Sequence, residues 1–288
     1  MEVTLSAGGR TVRLLGHARD DGAPCLIVSP KSLKGWYSTP AEKGSDTARS
    51  MGDGDFPREE GTLLYESRVV TIYATALGRT RDEVVAQADL LRALLHHEVT
   101  CVVDDGAARR MATGSITADF DESDGFDVAL GATISMTCRD PREYGTTPRR
   151  AYLSPGAAAG ALSWHADAPH GLAWPLSYGG GGAGANVATL RNDGTSTAYP
   201  TITASGDMDG LVITDTVTGA QLAWDGHVGS QPVTLDCLSR TASVAGVDAS
   251  RLLSARGFPS VPAGGEVTLA LTATGSGTVC VEWRDTYI

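Results

Sequence analysis

Apolar and polar residues alternate with period two along much of the chain, a pattern that predicts strands and not helices. The clearest run is Phe126, Val128, Leu130, Ala132, Ile134, Met136 and Cys138, with Asp127, Ala129, Gly131, Thr133, Ser135 and Thr137 between them. This predicts one long, half-buried strand. Ala112, Gly114, Ile116, Ala118 and Phe120 alternate in the same way just upstream. The intervening 121–125 stretch ends in Asp124-Gly125, a dipeptide suited to a turn with positive φ, so the two runs predict a hairpin. Another strand is predicted over Arg68 to Leu77, with Val70 and Ile72 on one face and Val69, Thr71 and Tyr73 on the other. The opening Met1-Glu2-Val3-Thr4-Leu5 reads as a first strand.

Period 3.6 takes over once. Thr80-Arg81-Asp82-Glu83 has the form of a capping box, with Thr80 as N-cap and Glu83 at the third helical position. Val84, Val85, Ala88, Leu91, Leu94 and Leu95 then form one apolar stripe, opposite Arg81, Asp82, Gln87, Asp89 and Arg92. One long helix is predicted, packed across a sheet and closed by His96-His97, where imidazolium suits the negative end of the dipole.

The pattern breaks into Pro, Gly and Ala between Pro148 and Gly160, which predicts a domain boundary. Beyond it, short strands are predicted at Asn186 to Leu190, Ala198 to Ala204, Leu211 to Thr214, Gln221 to Trp224, Pro232 to Asp236 and Val267 to Thr272. A last hairpin is predicted to turn at Gly275-Ser276-Gly277 and return through Val279, Val281 and Trp283. The expected fold is mostly β, a β-rich α+β chain, with domains at 1–150 and 151–288 and with 151–190 serving as linker and first strand. Many short strands joined by glycine-rich turns make the second domain a sandwich or barrel. The polar stretch from Ser38 to Gly61 carries no secondary-structure signal, and is expected to order against a neighbouring molecule.

Composition narrows the function. A chain of 288 residues can bury two cores, and no apolar run reaches the length of a bilayer. The N-terminus has neither the basic start nor the apolar stretch of a signal peptide, so synthesis in a cytoplasm is expected. A net charge of −11, from 23 basic and 34 acidic residues, argues against a nucleic-acid binder, whose affinity rests on neutralising phosphates. Cys25, Cys101, Cys138, Cys237 and Cys280 show no CxxC spacing and read as buried, reduced thiols.

The candidate chemistry is thin. Gly179, Gly181 and Gly184 match GxGxxG, but a dinucleotide site needs a strand before and a helix after, and the sequence there favours a glycine loop. Asp119, Asp121, Glu122, Asp124 and Asp127 lack the Gly and Glu of a calcium loop at the required places, leaving a solvated hairpin tip with weak cation binding as the alternative. His165, Asp167 and His170 could ligate a metal or simply be exposed loop residues. Trp164, Trp174, Trp224 and Trp283 either fill the second core or subunit contacts, or stack on sugars. There is no GxSxG elbow, Walker lysine motif or HExxH. No catalytic, cofactor-binding or metal residue is assigned, no cofactor is expected, and the chain reads as a non-enzyme.

In order along the chain stand Trp36-Tyr37 before a polar loop, Gly52-Asp53-Gly54-Asp55, Tyr65-Glu66-Ser67-Arg68-Val69-Val70-Thr71-Ile72 and the capped helix ending Leu90-Leu91-Arg92-Ala93-Leu94-Leu95. Then follow Cys138-Arg139-Asp140-Pro141-Arg142-Glu143-Tyr144, Gly171-Leu172-Ala173-Trp174-Pro175-Leu176, Asn192-Asp193-Gly194, Tyr199-Pro200-Thr201-Ile202, Pro262-Ala263-Gly264-Gly265 and Trp283-Arg284. Taken together this resembles the distal tail protein (Dit) family of long-tailed, non-contractile phages. The resemblance implies a tail-tube-like, ring-forming first domain and a galectin-like sandwich as the second. It also implies a homo-hexamer at the virion tail tip, joining the tail tube protein to the tail-associated hub protein and possibly to a receptor-binding protein, with DNA passing through the lumen. The acidic balance, with Asp104, Asp105, Asp119 and Asp121 in the first half, would keep that DNA from adhering. A carbohydrate-binding module contacting the host surface is the alternative.

Overall fold

The computed structural model describes residues 1–44, 47–56, 63–121, 128–155 and 186–288, with backbone alone at 29–32. The chain is mostly β and divides into two compact units, Met1–Thr146 with Tyr287–Ile288, and Thr147–Thr286.

The first unit contains β1 (Glu2–Ala7), β2 (Arg10–Leu15), β3 (Cys25–Lys34), β4 (Glu42–Lys43), β5 (Leu64–Tyr65), β6 (Arg68–Leu77), α1 (Arg81–Arg92), β7 (Val99–Asp104), β8 (Arg109–Asp121), β9 (Ala129–Cys138) and β10 (Glu143–Gly145). Its main sheet runs β10-β8-β7-β1-β2-β3-β6-β9, and β9 pairs again with β8, so the strands close into a circuit. β2 and β3 run parallel. Closure leaves few free edges.

Strict alternation explains the pairing. Val70, Ile72, Ala74 and Ala76 of β6 and Leu130, Ala132, Ile134, Met136 and Cys138 of β9 all point inward, with Ile72 opposite Ile134 and Val70 opposite Met136. Slipping either strand by one residue would turn its whole apolar set to solvent. The helix lays Val84, Ala88 and Leu91, with Leu94 just beyond its end, into the same core against β6 and β9. Val84, Leu91 and Leu94 each contribute ~1.5–3 kcal/mol on burial.

Three details differ from the sequence reading. Val128 is exposed, because the described strand begins only at Ala129; Phe126 and the hairpin tip lie outside the described residues. Glu83 does not reach back to the N-cap: Thr80 Oγ1 accepts from Glu83 N at 3.4 Å, but Glu83 Oε2 accepts from Arg79 N at 2.7 Å. The helix ends at Arg92, and Leu94, Leu95 and His97 continue as tighter turns, so His96-His97 lie one turn past its end.

The second unit contains β11 (Arg149–Leu153), β12 (Val187–Arg191), β13 (Thr201–Asp215), β14 (Gln221–Trp224), β15 (Val233–Asp236), β16 (Thr241–Val244), β17 (Val247–Asp248), β18 (Leu253–Arg256) and β19 (Glu266–Trp283). Arg149 to Leu153 is a paired strand, with Ala151 opposite Val281 and Leu153 opposite Val279, so that residues 151–153 of the stretch expected as linker and first strand are strand. The final strand β20 (Thr286–Tyr287) extends the first unit's sheet beyond β10.

The expected hairpin at Gly275-Ser276-Gly277 does not exist. β19 runs straight through it for 18 residues, paired along its length with the 15-residue β13. Gly206, Asp207, Met208 and Asp209 face Gly277, Ser276, Gly275 and Thr274. The register shifts between Asp209 and Val212, where β13 spends one residue more than β19, and such a bulge bends the ribbon. One half of the ribbon carries β11 and β15-β16-β17; the other carries β12 and β14-β18. Two layers therefore share two bent strands, as at sandwich corners where strands switch sheets. Ile202, Ile213, Leu235, Leu269, Val281 and Trp224 fill the space between the layers.

Candidate assembly surface

Between β3 and β6 lies the segment 35–67, called the arm below, of which 35–44, 47–56 and 63–67 are described. No element was expected from Ser38 to Gly61, yet β4 pairs with β5, Ala48 bridges Asp55, and Glu66 N donates to Ala41 O at 2.8 Å. Its turn is held by Arg49 N donating to Gly54 O at 3.1 Å and Phe56 N to Thr47 O at 3.0 Å. The arm presents large apolar side chains to solvent: Met51 is 95% exposed, Leu64 63% and Phe56 59%. Val69 and Tyr73 continue this character onto the outward face of β6. Arg49 lies over the Phe56 ring at 5.9 Å and Lys34 over the Tyr73 ring at 5.1 Å, and the several large apolar side chains left exposed along this segment make it a candidate contact surface.

The neck of the arm is ionic and dry. Arg68, 2% exposed, closes it: Nη1 donates to the carbonyl oxygens of Gly35 at 3.0 Å, Trp36 at 2.8 Å and Ser38 at 2.8 Å, while Nε donates to Pro141 O at 2.8 Å. Glu143 balances the charge, with Oε1 3.2 Å from Arg68 Nη1 and Oε2 3.2 Å from Arg110 Nη1. Next to it Tyr37 OH donates to Asp105 Oδ2 at 3.0 Å. Burial, then the bond to Asp105, raises the Tyr37 pKa. Asp105 is held below the usual carboxylate range, first by the amides of Ala108 and Ala107. Tyr144 OH donates to Asp140, tying down the turn that carries Glu143.

The residues weighed from sequence fall elsewhere. Leu95, His96, His97, Glu98, Gly114, Ser115 and Arg139 line an open cleft of about 380 Å³. Among the described residues no three His, Cys, Asp or Glu side chains converge as a metal site. Asp104 ends β7 and Asp105 follows it, at one end of β8, where Asp104 faces Arg109, whereas Asp119 and Asp121 stand at the other end facing Thr133 and Gly131. At ~3.3 Å per residue, β8 separates the two acidic pairs by tens of ångströms, so they form no single patch. The 122–127 acids, the GxGxxG glycines, His165, Asp167, His170, Trp164 and Trp174 lie outside the described residues.

Trp224 and Trp283 are buried, and Trp283 Nε1 donates to Arg191 O at 2.8 Å, so neither offers a ring face to a sugar. Four cysteines are buried and Cys280 is half-buried, all unbridged. Burial raises the Cys101 and Cys237 thiols and pushes Cys138 up to about 11. At the bend of β13, His227 Nδ1 lies 2.9 Å from Asp209 and Nε2 3.6 Å from Asp207, and the bond to Asp209 raises its pKa. Sequence inspection missed both this group and the Arg68 neck. A lone arginine at a strand start carries no signal when its acceptors are backbone carbonyls.

No family model matches the chain, and no curated protein matches it in sequence. Solved structures do. The SPP1 Dit (gp 19.1) protein, described as a paradigm of the hub adsorption apparatus in phages infecting Gram-positive bacteria, superposes with a TM-score of 0.60 at 15% identity, covering 99% of both chains. A chain of the phage P2 baseplate in its activated conformation with Ca aligns at a TM-score of 0.49 and 9% identity, over 99% of this chain and 98% of that one. The two-unit fold described above is therefore that of the SPP1 protein along its whole length.

Proposed function

We propose that this chain is a distal tail protein of a long-tailed, non-contractile phage, acting by geometry and not by catalysis. Six copies close into a ring at the virion tail tip through the tail-tube-like first unit. The ring joins the tail tube protein to the tail-associated hub protein, and a receptor-binding protein docks where the host requires one. The observation that carries this reading is the end-to-end fold likeness to the SPP1 Dit protein over 99% of both chains. Fold alone does not fix function, and the exposed apolar arm adds the second support. A ring needs head-to-tail contacts, in which one surface meets a different surface of the next copy. Met51, Phe56 and Leu64 supply one such surface. The acidic balance of the chain keeps passing DNA from adhering to the lumen.

Light scattering with negative-stain imaging, on the chain alone and co-expressed with the hub gene product, tests the proposal. Rings of about six times the 29.8 kDa chain mass are expected, with an open centre. Replacing Met51, Phe56 and Leu64 together by Ser should abolish rings and leave the circular dichroism spectrum unchanged. A monomer under both conditions, or rings unaffected by the triple substitution, would overturn the ring or the arm's part in it.

A further inference from the structure

We infer that the last residues of the chain form part of a latch on the neck of the arm, acting through Tyr287, Arg110, Glu143 and Arg68. The links are continuous. Arg68 starts β6, at the far end of the arm, and grips the carbonyls of Gly35, Trp36 and Ser38 at its near end. The one guanidinium therefore joins both ends of the 35–67 excursion. Buried beside it, Glu143 shares its two oxygens between Arg68 and Arg110. The Arg110 guanidinium is the half-exposed outer member of this group, and it stacks on the Tyr287 ring with its central carbon 3.8 Å from the ring centre.

Backbone pairing repeats the connection. β20, which carries Tyr287, pairs with β10, which opens with Glu143. β10 in turn pairs with β8, setting Gly145 opposite Arg110. Truncating Tyr287 to Ala leaves this backbone pairing and takes from Arg110 the ring that holds it flat and shields it from water. A looser Arg110 loosens Glu143, and a carboxylate buried to this degree holds its partners only while its geometry is kept. Cation–ring contacts strengthen as water is excluded, so the ring makes the outer arginine a firmer partner for Glu143. The arm's direction is thus set by groups far apart in sequence, one of them at the chain's end.

This inference does not depend on the tail-tip reading and survives its failure. Peptide-resolved hydrogen exchange on the full chain tests it, comparing the wild type with Tyr287→Ala, Arg110→Ala, the double variant and the conservative Tyr287→Phe. Tyr287→Ala should speed exchange across 35–44 about tenfold while β1 and β7 keep their protection; Tyr287→Phe, which keeps the ring, should restore wild-type rates. The double variant should exchange no faster than Arg110→Ala alone, because the two residues act in series. Unchanged 35–44 exchange in Tyr287→Ala would overturn the latch. So would additive effects in the double variant, or equal acceleration throughout the first unit, which marks plain destabilisation.

Discussion

Replacing Gly275 by Ala tests the bent β13–β19 ribbon at its tightest point. Gly275 has φ +98°, and a Cβ added there would stand 2.2 Å from the Asp207 carbonyl oxygen and 3.3 Å from Met208 Cα. Close carbon–oxygen contacts between neighbouring strands sit at about 3.3 Å or more, so the strands would have to part by roughly 1 Å. The left-handed backbone costs roughly 1–2 kcal/mol for a residue with a side chain. Forcing apart packed strands adds roughly 1–3 kcal/mol. The total comes to about 2–5 kcal/mol. Gly246 is the internal control, since it has φ +79° with nothing within 4 Å of the added methyl. Its substitution should cost only the backbone share, about 1–2 kcal/mol. The assay is hydrogen exchange of the 201–215 peptide across a urea series, with the 68–77 peptide reporting the first unit separately, since two units need not unfold together. If Gly275→Ala matches Gly246→Ala within about 0.5 kcal/mol, the glycine stands in open space. The strands would then not lie side by side, and the hairpin turn suggested by the sequence would be the better account.

Further outcomes follow from local geometry. Arg68→Met strands Glu143 with only the half-exposed Arg110, and should destabilise the first unit by about 3–5 kcal/mol in the same exchange assay; adding Glu143→Leu should recover most of that loss. Thr80→Ala removes the side-chain acceptor for Glu83 N and should cost about 1 kcal/mol, seen as faster exchange over α1. His227 should titrate above an ordinary histidine by NMR, and Asp209→Asn should bring it back down. Because the folded value is the raised one, this contact contributes fully below the unfolded histidine value and is lost as pH rises through the folded value.

Much of the first unit was legible because its signal is local. β6 and β9 alternate without error, so period two sufficed to place Val70, Ile72, Ile134 and Met136 inside. The N-cap at Thr80 was legible for the same reason. The glycine run at 275–277 misled because a glycine-rich break within an apolar pattern has two physical causes, a turn or a close approach of two backbones. Only its partner, Gly206 with Asp207 and Met208 some seventy positions earlier, distinguishes them. The arm was hidden differently. β4 and β5 are two residues each, too short for any period, and Met51 and Phe56 stand isolated among polar neighbours. Their exposure, which makes the arm a candidate contact, is a three-dimensional fact.

The same contrast explains how a fold can persist at 15% identity. An inward position of β9 asks only for an apolar side chain of about the right volume, so sequence there can drift while pattern remains. The neck asks for more. Lysine in place of Arg68 would bring the charge, but a single ammonium cannot reach Pro141, Gly35, Trp36, Ser38 and Glu143 together. Gly275 is restricted by a carbonyl 2.2 Å from where a side chain would begin. Asn192, fully buried, donates to the carbonyls of Ser196 and Pro262 and accepts from Gly194 and Thr286. Aspartate would have the acceptors without the donors. At such positions chemistry, and not volume, sets the residue. They, more than the core, link segments distant in sequence: the arm to its neck, one half of the bent ribbon to the other, and Asn192 to the chain's final strand.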